Sequence, residues 1–388
     1  MNPTPTPPPA LVDWTDDEGQ HQQAAWRSLA GHPPPKRLAL VDDKLSADTA
    51  YRLACEGTGL LWVGDYQNAR HLLQALSRRL DARLPRAPAG PANTPAAMKA
   101  AFLAQRQAQA QRAKLLGLLL LPFDPDHGVP LRRAPDVRAA GLQAHGRASK
   151  HYVGSLRELL GLVGAHEWRR KGVSVPALQA RIHPHAGVFS PVRGEYVDLV
   201  ANAPLPAAAH RDGAFDIGTG TGVLAAVLAR RQLKVLATDS DERALACARD
   251  NLARLKLLPS ITLVQANLWP EGMAGLVVCN PPWVPAPAHT GLDSAIYDPD
   301  SRMLRGFLSG LSAHLAPGGE GWLILSDLAE HLGLRTREEL LGWIAEAGLR
   351  VAERIDTPPQ HPKAADAADP LHAARAAELT SLWRLVAA

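Results

Sequence analysis

Apolar positions along this chain gather in short runs, separated by longer stretches whose apolar residues recur every three or four positions. This is the signature of strands alternating with helices. The pattern is sharpest in the second half. A helix over 196–203 precedes an apolar run closing at 215–217, and a further helix is expected over 223–231. Buried strands follow over 233–238, 261–265 and 276–279, with a helix beginning near 242. Downstream, the spacing predicts a helix over 303–315 stopped by Pro317-Gly318-Gly319, a fifth strand over 322–325, and a helix over 337–347 with Gly348 after its end. Sixth and seventh strands are expected over 351–356 and 381–386, with loop over 357–377.

The first half alternates in the same way. Helices are expected over 19–30, 46–55, 66–80, 96–114 and 152–170, and strands over 37–42, 59–63 and 115–121. Residues 86–95, rich in Pro, Ala and Gly, read as a linker. At 388 residues the chain exceeds one usual domain and suggests two. We place a Pro-rich, polyproline-like disordered tail at 1–18, an α/β domain at 19–175 and a second domain at 176–388. Asp42-Asp43 and Gly64-Asp65 fall at expected strand ends. They echo the second half without its glycine loop, so the first domain is either a degenerate copy of the second or a module for substrate recognition.

Composition narrows the setting. With 46% hydrophobic and 21% charged residues the chain can bury ordinary cores. Cys55, Cys247 and Cys279 have neither metal-site nor disulfide spacing, which fits a reduced cytoplasm. The N-terminus lacks the basic and apolar regions of a signal peptide, and the apolar run 115–122 is too short to span a bilayer, so no membrane is implied. The formal charge of +4 is unevenly spread: residues 70–181 hold 19 Lys and Arg against 6 Asp and Glu. That basic span suits RNA or a ribosome, although aromatics for base stacking are scarce over 70–150.

The chemistry concentrates between residues 215 and 283. Gly218-Thr219-Gly220-Thr221-Gly222 follows the first strand, and alternate glycines let the backbone bend sharply and approach a ligand. The helix behind the loop presents free N–H groups and a positive dipole end. Val223 stands where the dinucleotide fingerprint has its third glycine, so the loop is Gly-x-Gly-x-Gly. Asp239 ends the second strand, where a carboxylate can grip a ribose diol; capping the next helix is the competing role, and Ser240 and Asp241 are available for it. The third strand ends in Ala266-Asn267-Leu268-Trp269 and the fourth in Asn280-Pro281-Pro282-Trp283. The two prolines stop the ladder and fix the chain, so the Asn280 amide and the Pro281 carbonyl can accept hydrogen bonds from an amino group beside the flat face of Trp283.

These motifs, in this order and spacing, resemble the class I S-adenosylmethionine-dependent methyltransferases, within the branch carrying an Asn-Pro-Pro-aromatic motif. That branch includes release-factor glutamine methyltransferases, ribosomal RNA guanine methyltransferases and adenine DNA methyltransferases. The resemblance covers about half the chain, from Ile182 onward. It implies a seven-stranded, Rossmann-like α/β sheet whose last two strands are antiparallel. It also implies cofactor contacts from Asp216, Gly218, Thr219, Gly220, Gly222, Asp239 and Asn267, the last replacing an Asp common in the family. Asn280, Pro281, Pro282 and Trp283 would form the catalytic corner.

Pro191 to Glu195 loosely resembles a segment that glutamine methyltransferases carry before the first catalytic strand; Arg193 or Glu195 would line the site mouth, or simply cap the next helix. His183 and His185 lack the companions a metal site needs, and no metal is expected. The resulting expectation is methyl transfer to a planar amide or exocyclic amine. A protein glutamine of release-factor type leads, with a release factor or ribosomal protein as partner. RNA guanine or adenine is the alternative, and a non-catalytic cofactor-binding scaffold the third reading.

Overall fold

The computed structural model describes residues 10–16, 18–83, 94–190, 194–288, 293–359, 366 and 369–388. Most of the linker expected at 86–95, and the first nine residues of the tail, lie outside the described residues. The chain divides into two compact units: residues 1–86 with 104–167, and residues 87–103 with 168–388.

In the first unit the strands are β1 (Leu11–Thr15), β2 (His21–Trp26), β3 (Arg37–Val41), β4 (Thr58–Trp62), β5 (Leu119–Phe123) and β6 (Tyr152–Ser155). They form one mixed sheet in the order β1-β2-β6-β5-β4-β3. Every residue of β4 is buried, and the helix Tyr66–Arg83 lays Tyr66, Ala69, Leu72, Leu73, Leu76 and Leu80 into the same core. Those positions follow the three-and-four spacing of one helix face. The helix Ala47–Cys55 starts where Ser46 accepts a hydrogen bond from the Thr49 N–H.

Three expectations for this unit need correction. Residues 19–30 are not a helix; β2 pairs antiparallel with β1, which itself lies inside the span assigned to the tail. The cause is the turn between them, where the Asp16 carboxylate accepts from the N–H groups of Glu18 and Gln20 and from the Gln22 side chain. Residues 152–155 open a buried strand, β6, and the helix starts only at Leu156, next to Ser155, whose hydroxyl accepts from the Arg157 N–H. The helix expected over 96–114 continues to Leu116, so β5 begins four residues later than the apolar run did.

The second unit opens with a hairpin of β7 (Val173–Val175) and β8 (Ala180–Ile182). Its main strands are β9 (Ala214–Ile217), β10 (Val235–Asp239), β11 (Ile261–Gln265), β12 (Ala274–Cys279), β13 (Leu315–Ser326), β14 (Leu349–Thr357) and β15 (Thr380–Ala387). Their order is β11-β10-β9-β12-β13-β15-β14, parallel from β11 to β13, with β15 inserted antiparallel between its two neighbours. This is the sheet the sequence resemblance implies. One face is covered by the helices Glu195–Asn202 and Val223–Arg230, the other by Arg302–His314 and Arg337–Glu346. A short helix, His372–Ala377, interrupts the expected loop 357–377. Met98, Ala101 and Phe102 belong to this unit and share a core cluster with Val284, Ala286 and Leu332. The two large sheets do not share a strand order. Among the described residues no helix is long and apolar enough to cross a membrane.

Close approach of a helix to β12 sets a sharp limit on one side chain. A Cβ on Gly275 would lie 2.1 Å from the Ala208 carbonyl carbon and oxygen, which are backbone atoms and cannot swing aside. Gly275→Ala should therefore destabilise the fold by about 2–3 kcal/mol, as overpacking against backbone does. Urea denaturation checks it, and a midpoint equal to wild type would refute the close packing.

Candidate active site

Strand order reverses at β9: the chain steps from β9 outward to β10 and β11, then returns to place β12 on the other side. A crevice opens beyond the carboxyl ends of the strands at such a reversal. The register pairs Ile217 with Cys279. The residues that follow, Gly218 and Asn280, therefore leave neighbouring parallel strands side by side, on a spacing of about 4.8 Å.

On the β9 side, Gly218, Gly220 and Gly222 have φ of 75°, 54° and 80°. These are left-handed conformations that favour glycine. The loop is tied to β10 at several points. The N–H groups of Gly218 and Thr219 both donate to the Thr238 carbonyl, and the Gly220 N–H donates to Asp239 Oδ2 at 3.0 Å. Behind the loop, Asp216 is 1% exposed, and its Oδ2 accepts from the Thr219 hydroxyl at 2.6 Å and from the Ala225 N–H at 3.0 Å. Asp216 and Thr219 thus brace the glycine turn from beneath. Burial pushes the Asp216 carboxyl up to about 6, against the pull of these hydrogen bonds, and the nearby Asp239 adds to the rise.

Asp239 is half-buried at the tip of β10. Its carboxyl is raised by burial, while the N–H groups of Asp241 and Gly220 pull the other way. The helix Glu242–Arg254 is capped by Asp241, whose side chain accepts from the Arg243 N–H, so Asp239 is released from that duty. The Ala266 N–H donates to the Asp239 carbonyl, which sets the exposed Asn267 just beyond the tip of β11. Gly220, Asp239 and Asn267 therefore follow one another along the strand ends.

On the β12 side, Asn280 and Trp283 are half-buried and Pro281 is buried; the Trp283 indole N–H donates to Asn280 Oδ1 at 2.8 Å. After the motif, Val284 forms a bridge with Tyr297, and Asp298 turns its carboxylate onto the N–H groups of Met303 and Leu304 at 3.0 Å each. This fixes the start of the helix Arg302–His314 and brings Met303 back over the glycine loop: a Cβ on Gly218 would meet Met303 Cε at 2.8 Å. Sequence reading missed both residues. The turn Asp298-Pro299-Asp300-Ser301 ahead of an apolar helix was the available signal for the first; nothing marked Met303.

Glu195 is 4% exposed, and its Oε1 lacks a hydrogen-bond partner among the described residues. Arg193 lies outside the described residues. His183 and His185 serve packing: His183 Nδ1 meets the Arg169 carbonyl and His185 Nε2 meets Asp250, each within hydrogen-bond distance.

A glycine turn, a carboxylate at the tip of β10 and a neighbouring Asn-Pro-Pro-Trp corner thus make up the candidate site. Residues 179–338 match the family model of the methyltransferase small domain. That match lies wholly within the second unit.

Among relatives, the chain is 32% identical over 158 residues to the release factor glutamine methyltransferase of Xylella fastidiosa (strain Temecula1 / ATCC 700964), covering 36% of this chain and 56% of that protein. It is 31% identical over 138 residues to the ribosomal protein L11 methyltransferase of Chelativorans sp. (strain BNC1), covering 35% of this chain and 42% of that one. The chain thus spans about half the length of the curated relatives it matches. Among solved structures, a methyltransferase from Pyrococcus furiosus aligns over 59% of this chain and 98% of its own, with 19% identity and a TM-score of 0.39.

The raised Asp216 carboxyl has a thermodynamic consequence. Between its ordinary value near 4 and about 6, the folded chain holds a proton that the unfolded chain has released, so stability falls as pH rises through that window. Asp216→Asn keeps an oxygen for Thr219 and Ala225 but removes the titration. Relative to wild type, the variant should gain up to about 3 kcal/mol between about pH 4 and 7. Urea unfolding across this range measures it, and a pH-independent difference would mean that Asp216 titrates normally.

Proposed function

We propose that the second unit transfers a methyl group from S-adenosylmethionine to a planar amide nitrogen, and that the acceptor is a protein glutamine of the release-factor type. The observation that carries this reading is the Ile217–Cys279 register, which sets the glycine turn and the Asn-Pro-Pro-Trp corner on adjacent strands. When bound, the cofactor supplies an electrophilic methyl on a sulfonium. The chain's own residues have two tasks. Gly218, Gly220 and Gly222 leave room for close backbone approach, Asp239 accepts from ribose hydroxyls, and Asn267 offers a carbonyl oxygen to an adenine amino group.

Asn280 Oδ1 and the Pro281 carbonyl then accept the two N–H bonds of the acceptor, which localises its lone pair on nitrogen as transfer proceeds. Trp283 walls the acceptor's planar group. Alignment rather than a strong base is the main contribution asked of the protein.

The similarity to release-factor methyltransferases supports a protein acceptor. An RNA amine is the second reading, favoured by the basic span over 70–181. Its force is reduced because Arg79, Arg112, Arg132, Arg133 and Arg138 each pair with a carboxylate of the same unit. The first unit is read as a module for acceptor recognition.

The test offers labelled cofactor with a release factor and, separately, with bare ribosomal RNA. Label on a release-factor glutamine is expected; label on RNA alone would replace this reading with the second. Asn280→Ala should lower kcat by about 100-fold or more while S-adenosylhomocysteine affinity stays within about twofold. A variant with normal turnover would remove Asn280 from the chemistry.

A further inference from the structure

Asn280 carries an amide whose two ends are nearly the same shape and opposite in function. Oxygen accepts hydrogen bonds and NH₂ donates them, so a half-turn of the side chain converts an acceptor for the incoming amino group into a repellent one. The two prolines do nothing to prevent that turn, because Pro281 and Pro282 carry no N–H with which to hold the oxygen.

We propose that Trp283 is a positioning residue that fixes which end of the Asn280 amide faces the acceptor, an assignment that rests on the acceptor reading given above. The indole N–H lies 2.8 Å from Asn280 Oδ1. An indole N–H donates only, so the atom it meets must be oxygen; turned the other way, the amide would point NH₂ at N–H, two donors facing each other. The indole is itself immobile enough to hold this register. It is half-buried and packs against three separate apolar clusters, which include Val278, Cys279 and Val284.

An amide oxygen has two lone pairs. One takes the Trp283 N–H, which leaves the other for a single N–H of the acceptor, with the Pro281 carbonyl available for the second. Any aromatic residue at position 283 would supply a flat wall. Of the three large aromatics only tryptophan supplies a donor on the edge nearest Asn280: phenylalanine has none, and a tyrosine hydroxyl sits at the far tip of its ring. The choice of tryptophan therefore does something that stacking alone does not need.

Two readouts test this in the full-length chain. The first needs no acceptor. The indole N–H resonances are recorded by ¹H–¹⁵N NMR, and the Trp283 peak is assigned by its loss in Trp283→Phe. In wild type this proton should exchange with solvent at least about tenfold more slowly than in Asn280→Ala, as a hydrogen-bonded donor does. Equal exchange rates in the two proteins would overturn the proposal, whatever the acceptor proves to be.

The second readout uses release factor and labelled cofactor. Trp283→Phe should lower kcat by about tenfold, the scale of one neutral hydrogen bond, with S-adenosylhomocysteine affinity held as the control for folding. In the Asn280→Ala background the same change should cost nothing further, because its effect runs through the amide. Unchanged or faster turnover in Trp283→Phe would show that the bond does not position the amide or that it blocks the site; additive losses would assign Trp283 to stacking alone. Each overturns the proposal. If wild type methylates neither release factor nor RNA, the acceptor reading fails while the exchange measurement still decides the orientation of Asn280.

Discussion

The second unit depends on one backbone constraint: β9 and β12 are hydrogen-bonded neighbours running in the same direction. Parallel neighbours end on the same side of a sheet, so the turns that follow them must open into the same space. Had the pairing been antiparallel, the glycine turn and the Asn-Pro-Pro-Trp corner would sit at opposite ends of the sheet. The pairing also sets both turns at the ends of fully buried strands. Every residue of both strands is buried, and helices cover both faces. Group transfer of the proposed kind would draw on that packing, since alignment of donor and acceptor supplies much of the rate of such reactions.

The polar groups around this corner divide into those that hold the backbone and those that remain for ligands. Asp216 and Thr219 hold it, buried beneath the loop, and Asp298 does the same for the helix on the acceptor side. Asp216 bears a desolvation cost for this, visible in its raised carboxyl, and the hydrogen bonds from Thr219 and Ala225 offset only part of it. Asp239 stands between the two groups, engaged with the Gly220 N–H yet half-exposed at the strand tip. In the proposed function a ligand hydroxyl arriving there would meet a carboxylate already oriented by the glycine turn.

Much of the second unit was legible because its signals are local. The buried run of β12, the turn glycines, the Asp241 cap and the proline pair each act within a few residues. The first unit was less legible where pairing is non-local. The Gln- and Ala-containing segment of β2 gives no strong strand signal of its own; it becomes a strand because Asp16 folds the chain back and β1 supplies the partner. Tyr152 to Ser155 shares its apolar pattern with the helix that follows, and pairing with β5 makes it a strand. Within the site, the roles of Met303 and Asp298 depend on how a long loop returns to Gly218, and no periodicity encodes that path.

Under the proposed function, donor and acceptor recognition would also separate along the sheet. The β9–β10–β11 side is built from backbone N–H groups, glycines and one carboxylate, an inventory suited to a nucleoside. The β12 side is built from an amide, two prolines and a tryptophan, followed by a loop whose Val284 and Ala286 share a core cluster with Met98 and Phe102. Those last two residues lie far upstream in sequence, in a segment that groups with the second unit rather than the first. The two sides meet through the pairing of β9 with β12, and again where Met303, anchored by Asp298, reaches the glycine turn at Gly218. Under the proposed function, acceptor preference would depend on the packing of Met98 and Phe102 against Val284 and Ala286, and cofactor binding on the strand tips, so the motif would identify the chemistry more readily than the substrate.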